Sequence, residues 1–268
     1  MLYELDRNDF GKVSSLMHIV NHNATVIESV LQGNNAGRVF VNHLSRPTAA
    51  LIYPQEMFFY IVLTRDDENF LREVHKLLFV DWKVQGVELF MYPEAKPEQI
   101  NIILGDRPHV KLVRMDYIFN PASMVSFLPP TEYTMRHMDS SFFEDYPIEI
   151  APGWKYADFH KHGFGYGLFK GDELVSHCAV VFRSDGAVEL SVETNENYRR
   201  RGLALPVCSA AIQQAIGLGL TPTWSCWEFN EASWRLAEKL GLELKNKKQV
   251  YLWDTWVQRE HDNKTMEV

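Results

Sequence analysis

The densest positive charge in this 268-residue chain, Arg199-Arg200-Arg201, stands directly before Gly202, where a long apolar helix pattern begins. A helix start presents about four unpaired backbone N–H groups and the positive end of the helix dipole. Oriented N–H groups, a glycine that lets a ligand approach the backbone, and guanidinium groups around the same point make an anion site, best suited to a diphosphate. Just upstream, in the strand pattern of Ala187 to Thr194, Glu189, Ser191 and Glu193 alternate with Val188, Leu190 and Val192. The period of two puts both carboxylates on one face of the strand.

These residues need elements to hold them. Leu203, Val207, Ala211 and Ala215 repeat every four residues, with Cys208, Ile212 and Ile216 beside them, which predicts a helix with a broad apolar stripe to about Leu218. The stretch "PTWSCWEF" is expected to be a strand, and Asn230 to cap a short helix that ends at Gly241. A hairpin turning at Lys170-Gly171-Asp172 precedes the glutamate strand, and "LELKNKKQVYLW" is expected to be a strand pair turning at Asn246-Lys247. Thr134 to His162 reads as one or two helices broken near Pro147 and Pro152. The first half repeats this order: helical material over Asp9 to Gln32, strands at "GRVFVN", "TAALIY" and "FFYIVLT", a helix at "ENFLREVHKLLF", then strand, short helix and strand. The proline-rich stretch Phe119 to Tyr133 separates the halves. The expected organisation is a tandem of two similar α/β units with mixed sheets, residues 1–128 and 129–268.

A match to (Q/R)-x-x-G-x-(G/A), as in "RRRGLA", arises by chance about once per thousand positions, so context must decide its meaning. Here a strand precedes it, a long helix follows, and a second pattern comes later in the chain. The segment Leu190 to Leu242 resembles the GNAT superfamily of acetyl-CoA-dependent N-acetyltransferases: "RRRGLA" matches its pyrophosphate loop, and "NEASWRLAEKLGL" its later helix. The whole chain more loosely resembles two-unit GNAT proteins related to zwittermicin-resistance acetyltransferases. The resemblance implies a mixed sheet whose strands at Ala187–Thr194 and Thr223–Glu228 splay apart to admit acetyl-CoA. Backbone groups near Val192 and Thr194 would bond the pantetheine arm. The N–H groups of Arg200, Arg201, Gly202, Leu203 and Ala204, with Arg199 beside them, would hold the pyrophosphate, and Asn230 and Ser233 would face the cofactor.

The implied activity is acetyl transfer to a primary amine of a small molecule, such as an amine antibiotic or metabolite, by direct attack in a ternary complex. A lysine-like amine has a pKa of ~10.4, so freeing its lone pair at pH 7 costs about 4.6 kcal/mol and calls for a general base. Glu189 and Glu193 are the candidates, each set against an ordinary solvated strand carboxylate. Many family members carry a tyrosine as general acid in the late helix; here that position is Ala237. Tyr251, Cys226 and Tyr198 are the alternatives. The other reading is a catalytically silent acyl-CoA-binding sensor, which the absent tyrosine favours and the paired glutamates oppose. In the first half, "RDDENF" places Asp66, Asp67 and Glu68 where the anion site would be, so that unit is expected to be degenerate and to bind no cofactor.

A net charge of -8 argues against nucleic acid and anionic membranes as partners. No apolar run approaches the ~18 residues that span a bilayer. Three cysteines, none spaced as a metal knuckle, fit a reduced compartment, so the expected protein is cytoplasmic, a monomer or homodimer. His18 and His22 have helical i,i+4 spacing but no acidic third ligand nearby, and no metal is expected. His160 and His162 are more simply loop residues than substrate contacts, and the polar tail from Asp254 is expected to fray.

Overall fold

Apolar alternation and turn residues set the local elements, and the computed structural model describes residues 1–54, 58–146, 159 and 161–255. Two compact units divide the chain: Met1–Gly33, Gly37–Arg114 and the chain from Lys247 form the first, and Asn34–Ala36 with Met115–Asn246 the second. The proline-rich stretch Phe119 to Tyr133 lies within the second unit.

In the first unit a 3-10 segment (Arg7–Ile19) and helix α1 (Ala24–Leu31) precede antiparallel strands β2 (Arg38–Val41), β3 (Ala49–Tyr53) and β4 (Phe58–Leu63), with β1 (Tyr3–Glu4) on the edge at β2. Helix α2 (Glu68–Lys76) then leads to β5 (Gly86–Tyr92), parallel to β4. Helix α3 (Pro97–Leu104) leads to β6 (Val110–Phe119). Phe59 to Leu63 are buried on both sides of β4, which is why that strand reads as an unbroken apolar run. Leu71 and Val74 of α2 and Ile100 and Ile103 of α3 pack in one core with Phe59, Ile61, Leu89 and Met91.

The second unit repeats the order. Strand β7 (Thr134–His137) and helix α4 (Ser140–Asp145) precede β8 (Gly165–Lys170), β9 (Glu173–Arg183), β10 (Ala187–Thr194), helix α5 (Ala204–Gly217), β11 (Thr221–Trp227), helix α6 (Glu231–Lys239) and β12 (Leu242–Asp254). Its strand order is β6-β11-β10-β9-β8-β7. The stripe on α5 is broad, as its spacing predicts: Val207, Cys208, Ala211, Ile212 and Ala215 are all buried with Val188 and Leu190 of β10. Gly219, at φ +72°, ends the helix. The fold is thus the expected mixed α/β tandem.

Two sequence expectations are corrected. Thr134 to His137 is a strand, not helix: it pairs with β8 from Thr134↔Phe169 to His137↔Tyr166, and the sheet edge overrides weak local preference. Ser140–Asp145 of the same stretch is helical, as expected, while Pro147, Pro152 and His160 lie outside the described residues, as does the tail beyond residue 255. Asn246-Lys247 is not a turn. β12 stays extended through both residues, and its second part pairs with β5 at Tyr251↔Leu89, so the chain passes there from the second unit into the first. A waiting strand edge holds the backbone extended where two polar residues suggest reversal.

Candidate active site

The site is built where two parallel strands separate. β10 and β11 pair at Ala187↔Thr221, Val188↔Pro222 and Glu189↔Thr223, and the pairing stops there. Beyond that point β10 stays on β9, from Leu190↔Val180 to Thr194↔Ser176, with a register shift between Glu189 and Leu190. Leu190–Thr194 and Trp224–Trp227 therefore line the two arms of a fork. The matching strands of the first unit do not open: β4 and β5 stay paired from Phe58↔Glu88 to Val62↔Tyr92.

The arginine loop lies at the end of the β10 arm. Asn195 accepts a hydrogen bond from Asn197 N, 3.0 Å, which starts a short 3-10 turn. Arg200 and Gly202 then take left-handed conformations, φ +63° and +77°. No side chain caps α5. The backbone N–H groups of Arg200, Arg201, Gly202, Leu203 and Ala204 have no acceptor among the described residues. A Cβ at Gly202 would meet only Leu205 Cδ1, at 3.9 Å, so the glycine serves the backbone conformation and leaves open space above it. Arg199 Nε donates to Thr194 O at 3.1 Å and Arg201 Nη2 to Asn197 O at 3.0 Å, while Arg200 has no hydrogen-bond or ionic partner among the described residues. Leu203 is buried, so its contribution to any ligand is backbone.

At the equivalent helix of the first unit the anion position is filled from within. Asp67 caps α2, accepting from Phe70 N at 3.0 Å, and Asp66 takes Lys96 Nζ at 2.6 Å and Gln99 Nε2 at 2.9 Å. A protein carboxylate already occupies the dipole end that a phosphate would need.

The carboxylate face of β10 divides into two environments. Glu189 is 5% exposed, at the crotch of the fork, and accepts from Thr223 Oγ1 at 2.5 Å. Glu193 is exposed and lies directly across from His177 of β9. His177 and Glu193 share a cavity of about 550 Å³ with Ser176, Thr194, Glu196 and Arg199. Burial pushes the His177 imidazole below its ordinary pKa, and Glu193 partly opposes that. Ser176 Oγ fixes the end of β10, donating to Glu193 O at 3.0 Å and sharing a hydrogen bond with Thr194 Oγ1 at 2.8 Å. Val192 packs against the apolar core. On the β11 side Asn230 caps α6 through Ser233 N, and Ser233 Oγ accepts from Trp224 Nε1 at 3.0 Å.

The sequence reading did not find His177 or Thr223. Hairpin counting could pair β9 with β10, but the register shift displaces that count by a residue. Of the proposed acids, Tyr251 belongs to the first unit's core and Cys226 to the second's. The hydrogen bond from Tyr198 to Glu173, 2.6 Å, pushes the Tyr198 phenol up and holds its proton. Ala237 is fully buried. Tyr117 of β6, missed by the sequence, carries a buried hydroxyl with no partner among the described residues and a pKa pushed up to about 12, chiefly by burial. His18 Nδ1 bonds the carbonyl of Ser15, and His22 Nε2 that of Arg114. Among the described residues no cluster of three or more His, Cys, Asp or Glu could hold a metal ion, and no helix is long and apolar enough to cross a membrane.

The second unit thus brings together an open parallel strand pair and an uncapped, glycine-entered helix start. The GNAT acetyltransferase family profile matches residues 17–251, and the chain belongs to that family. It is an acyltransferase of the N-acetyltransferase type. Among its relatives, the protein described as "Uncharacterized N-acetyltransferase YdfB" from Bacillus subtilis (strain 168) is 23% identical, over 94% of this chain and 98% of that one. A GCN5-related N-acetyltransferase-like protein from Streptococcus suis 89/1591 has a similar fold, with TM-score 0.71 and 21% identity over 92% of this chain and 98% of that one. A tandem GNAT protein from the clavulanic acid biosynthesis pathway matches at TM-score 0.62 and 10% identity, over 95% of this chain and 98% of that one.

Proposed function

We propose that the second unit transfers an acetyl group from acetyl-CoA to a primary amine of a small molecule by direct attack within a ternary complex. The observation that carries this is the fork: β10 and β11 part after Glu189↔Thr223, and the β10 arm leads to backbone N–H groups without acceptors among the described residues. The residues fit acetyl-CoA. The N–H groups of Arg200 to Ala204 take the diphosphate, with Arg199, Arg200 and Arg201 supplying charge. The arm from Val192 to Thr194 takes the pantetheine chain, and the start of α6 at Asn230 and Ser233 flanks it. When bound, acetyl-CoA supplies the acetyl group as a thioester, which an amine lone pair can attack. The protein's own work is to hold that group, to admit the amine on the carboxylate face of β10, and to accept the amine's proton there. Glu193 opens on the cavity of that face, whereas Glu189 is engaged with Thr223 at the crotch.

The first unit is read as a scaffold: its strand pair is closed and its helix start carries its own carboxylate cap. The second unit, with Met115–Asn246, is accordingly proposed as the acetyltransferase portion and the first unit as the degenerate one. The relative named as an N-acetyltransferase supports nitrogen as the acceptor atom. Three free, buried thiols suit a reducing cytoplasm. Calorimetry with acetyl-CoA should give one site per chain, and free-thiol release should accompany turnover of an amine such as spermidine, kanamycin or lysine. No binding, or two sites, would overturn the proposal.

A further inference from the structure

We propose that His177, with Glu193 as its positioning partner, is the group that takes the proton from a polar, cationic amine held in the cavity at the ends of β9 and β10. This rests on the acetyl-transfer reading above. Arg136, Gly167, His177 and Glu193 stand in one row across β7, β8, β9 and β10, paired in turn. Directly opposed side chains in antiparallel strands have Cβ atoms about 4.5–5.5 Å apart, within reach of an imidazole and a carboxylate. Gly167, the neighbour on the other side, presents no side chain to the imidazole. Arg136, at the far end of the row, has its guanidinium 4.5 Å from the Phe169 ring centroid.

The cavity that His177 and Glu193 line is about 550 Å³, the size of a small-molecule site. Its charged lining comprises Glu193 and Glu196 against Arg199, whose Nε is already bonded to Thr194 O. Two carboxylates facing one tethered guanidinium favour a cationic guest. Beside such a guest an effective base should be neutral, with a pKa near the working pH. Imidazole, ordinarily near 6.5, meets that better than a carboxylate near 4.3. Burial favours the neutral His177 imidazole, and Glu193 favours the imidazolium once it forms. In the proton transfer an N–H bond of the ammonium breaks and its electron pair stays on the amine nitrogen. The proton forms an N–H bond on a ring nitrogen of His177, and the Glu193 carboxylate, across from it on β10, favours the resulting imidazolium. The proton leaves later to water in the open cavity. Glu189 is 5% exposed and bonded to Thr223, which places it in support of the fork.

The test is an NMR titration of the His177 ring in the wild type and Glu193→Gln, with kinetics of His177→Gln. His177 should titrate below the ordinary imidazole value, and lower still in Glu193→Gln, because the carboxylate that raises it is gone. His177→Gln should lose about 10²-fold in kcat/KM at pH 7 with spermidine, kanamycin or lysine as acceptor. That loss should shrink toward pH 10, where free amine is present, while acetyl-CoA affinity by calorimetry and the thermal melt stay unchanged. A His177 ring unresponsive to Glu193→Gln, or His177→Gln with the wild-type pH profile, would overturn the assignment. Wild-type protein that binds no acetyl-CoA, or turns over none of these amines, would overturn the acetyl-transfer reading itself and the base with it.

Discussion

At the scale of single residues, Gly202 and Glu193 carry the sharpest expectations. Gly202 sits at φ +77° with open space around it, so a side chain there costs backbone strain of about 1 kcal/mol but meets no wall. Gly202→Asp should therefore melt near the wild type. It should weaken acetyl-CoA binding by at least about 10²-fold, roughly 3 kcal/mol, because a carboxylate faces the diphosphate. Gly202→Ala, which adds the strain without the charge, should lose far less. Calorimetry on both variants separates the two causes, and equal losses would remove the diphosphate assignment. The glutamates should also separate. Glu193→Gln should lower kcat at neutral pH by about 10²-fold with acetyl-CoA affinity intact. Thr223→Val should instead act on the fold, since it leaves the buried Glu189 carboxylate without its hydroxyl donor; about 1–3 kcal/mol of stability should be lost in denaturant unfolding.

At the scale of elements, the corresponding helix starts of the two units differ in their caps. α5 begins without a side-chain cap, which leaves its N–H groups for a ligand. α2 begins at Asp67, whose carboxylate accepts from Phe70 N and from Asn42 Nδ2. Burial alone would raise the Asp67 pKa, but the hydrogen bonds from Asn42 and Phe70 outweigh it, so the group is held below the ordinary carboxylate value. A depressed folded-state pKa contributes stability above the unfolded value, near 3.9, and that contribution is lost as pH falls through the folded value. Asp67→Ala should therefore cost about 1 kcal/mol at pH 7. Its deficit in thermal melting should vanish as pH is lowered past the normal carboxylate range. A deficit that persists at pH 2 would mean the side chain acts by packing rather than as a charged cap.

At the scale of the whole molecule, the two units do not coincide with two halves of the sequence. Strands β6 and β12 each begin in one unit and end in the other. A fragment of residues 129–268 would leave β11 without its neighbour β6. It should lack a cooperative melt and bind no acetyl-CoA, whereas the full chain should bind one per chain. Protection from hydrogen exchange on binding should fall on Leu190–Leu205 and Trp224–Ser233, not on Thr64–Leu71. A fragment that melts cooperatively and binds would show that β6 is dispensable.

The features legible in one dimension were local. The period of two over Ala187–Thr194, the period near four over Leu203–Ala215, the glycine among arginines and the capping Asn230 each act within a few residues, so they survive without a fold around them. The family and the tandem order of elements came from such signals. The acidic "RDD" of the first unit was legible too, because charge at a helix start needs no partner to be read. The tertiary structure decided everything that depends on register and pairing. That β10 leaves β11 after Glu189 while β4 stays on β5 is a property of strand pairs, which no strand's own sequence states. A register shift set His177 opposite Glu193, and burial then separated Glu189 from Glu193, two residues alike in type and face. Asn246-Lys247 read as a turn because polar residues commonly reverse the chain; they remain extended because β5 offers an edge to Tyr251 and its neighbours, a long-range pairing that outweighs the local preference.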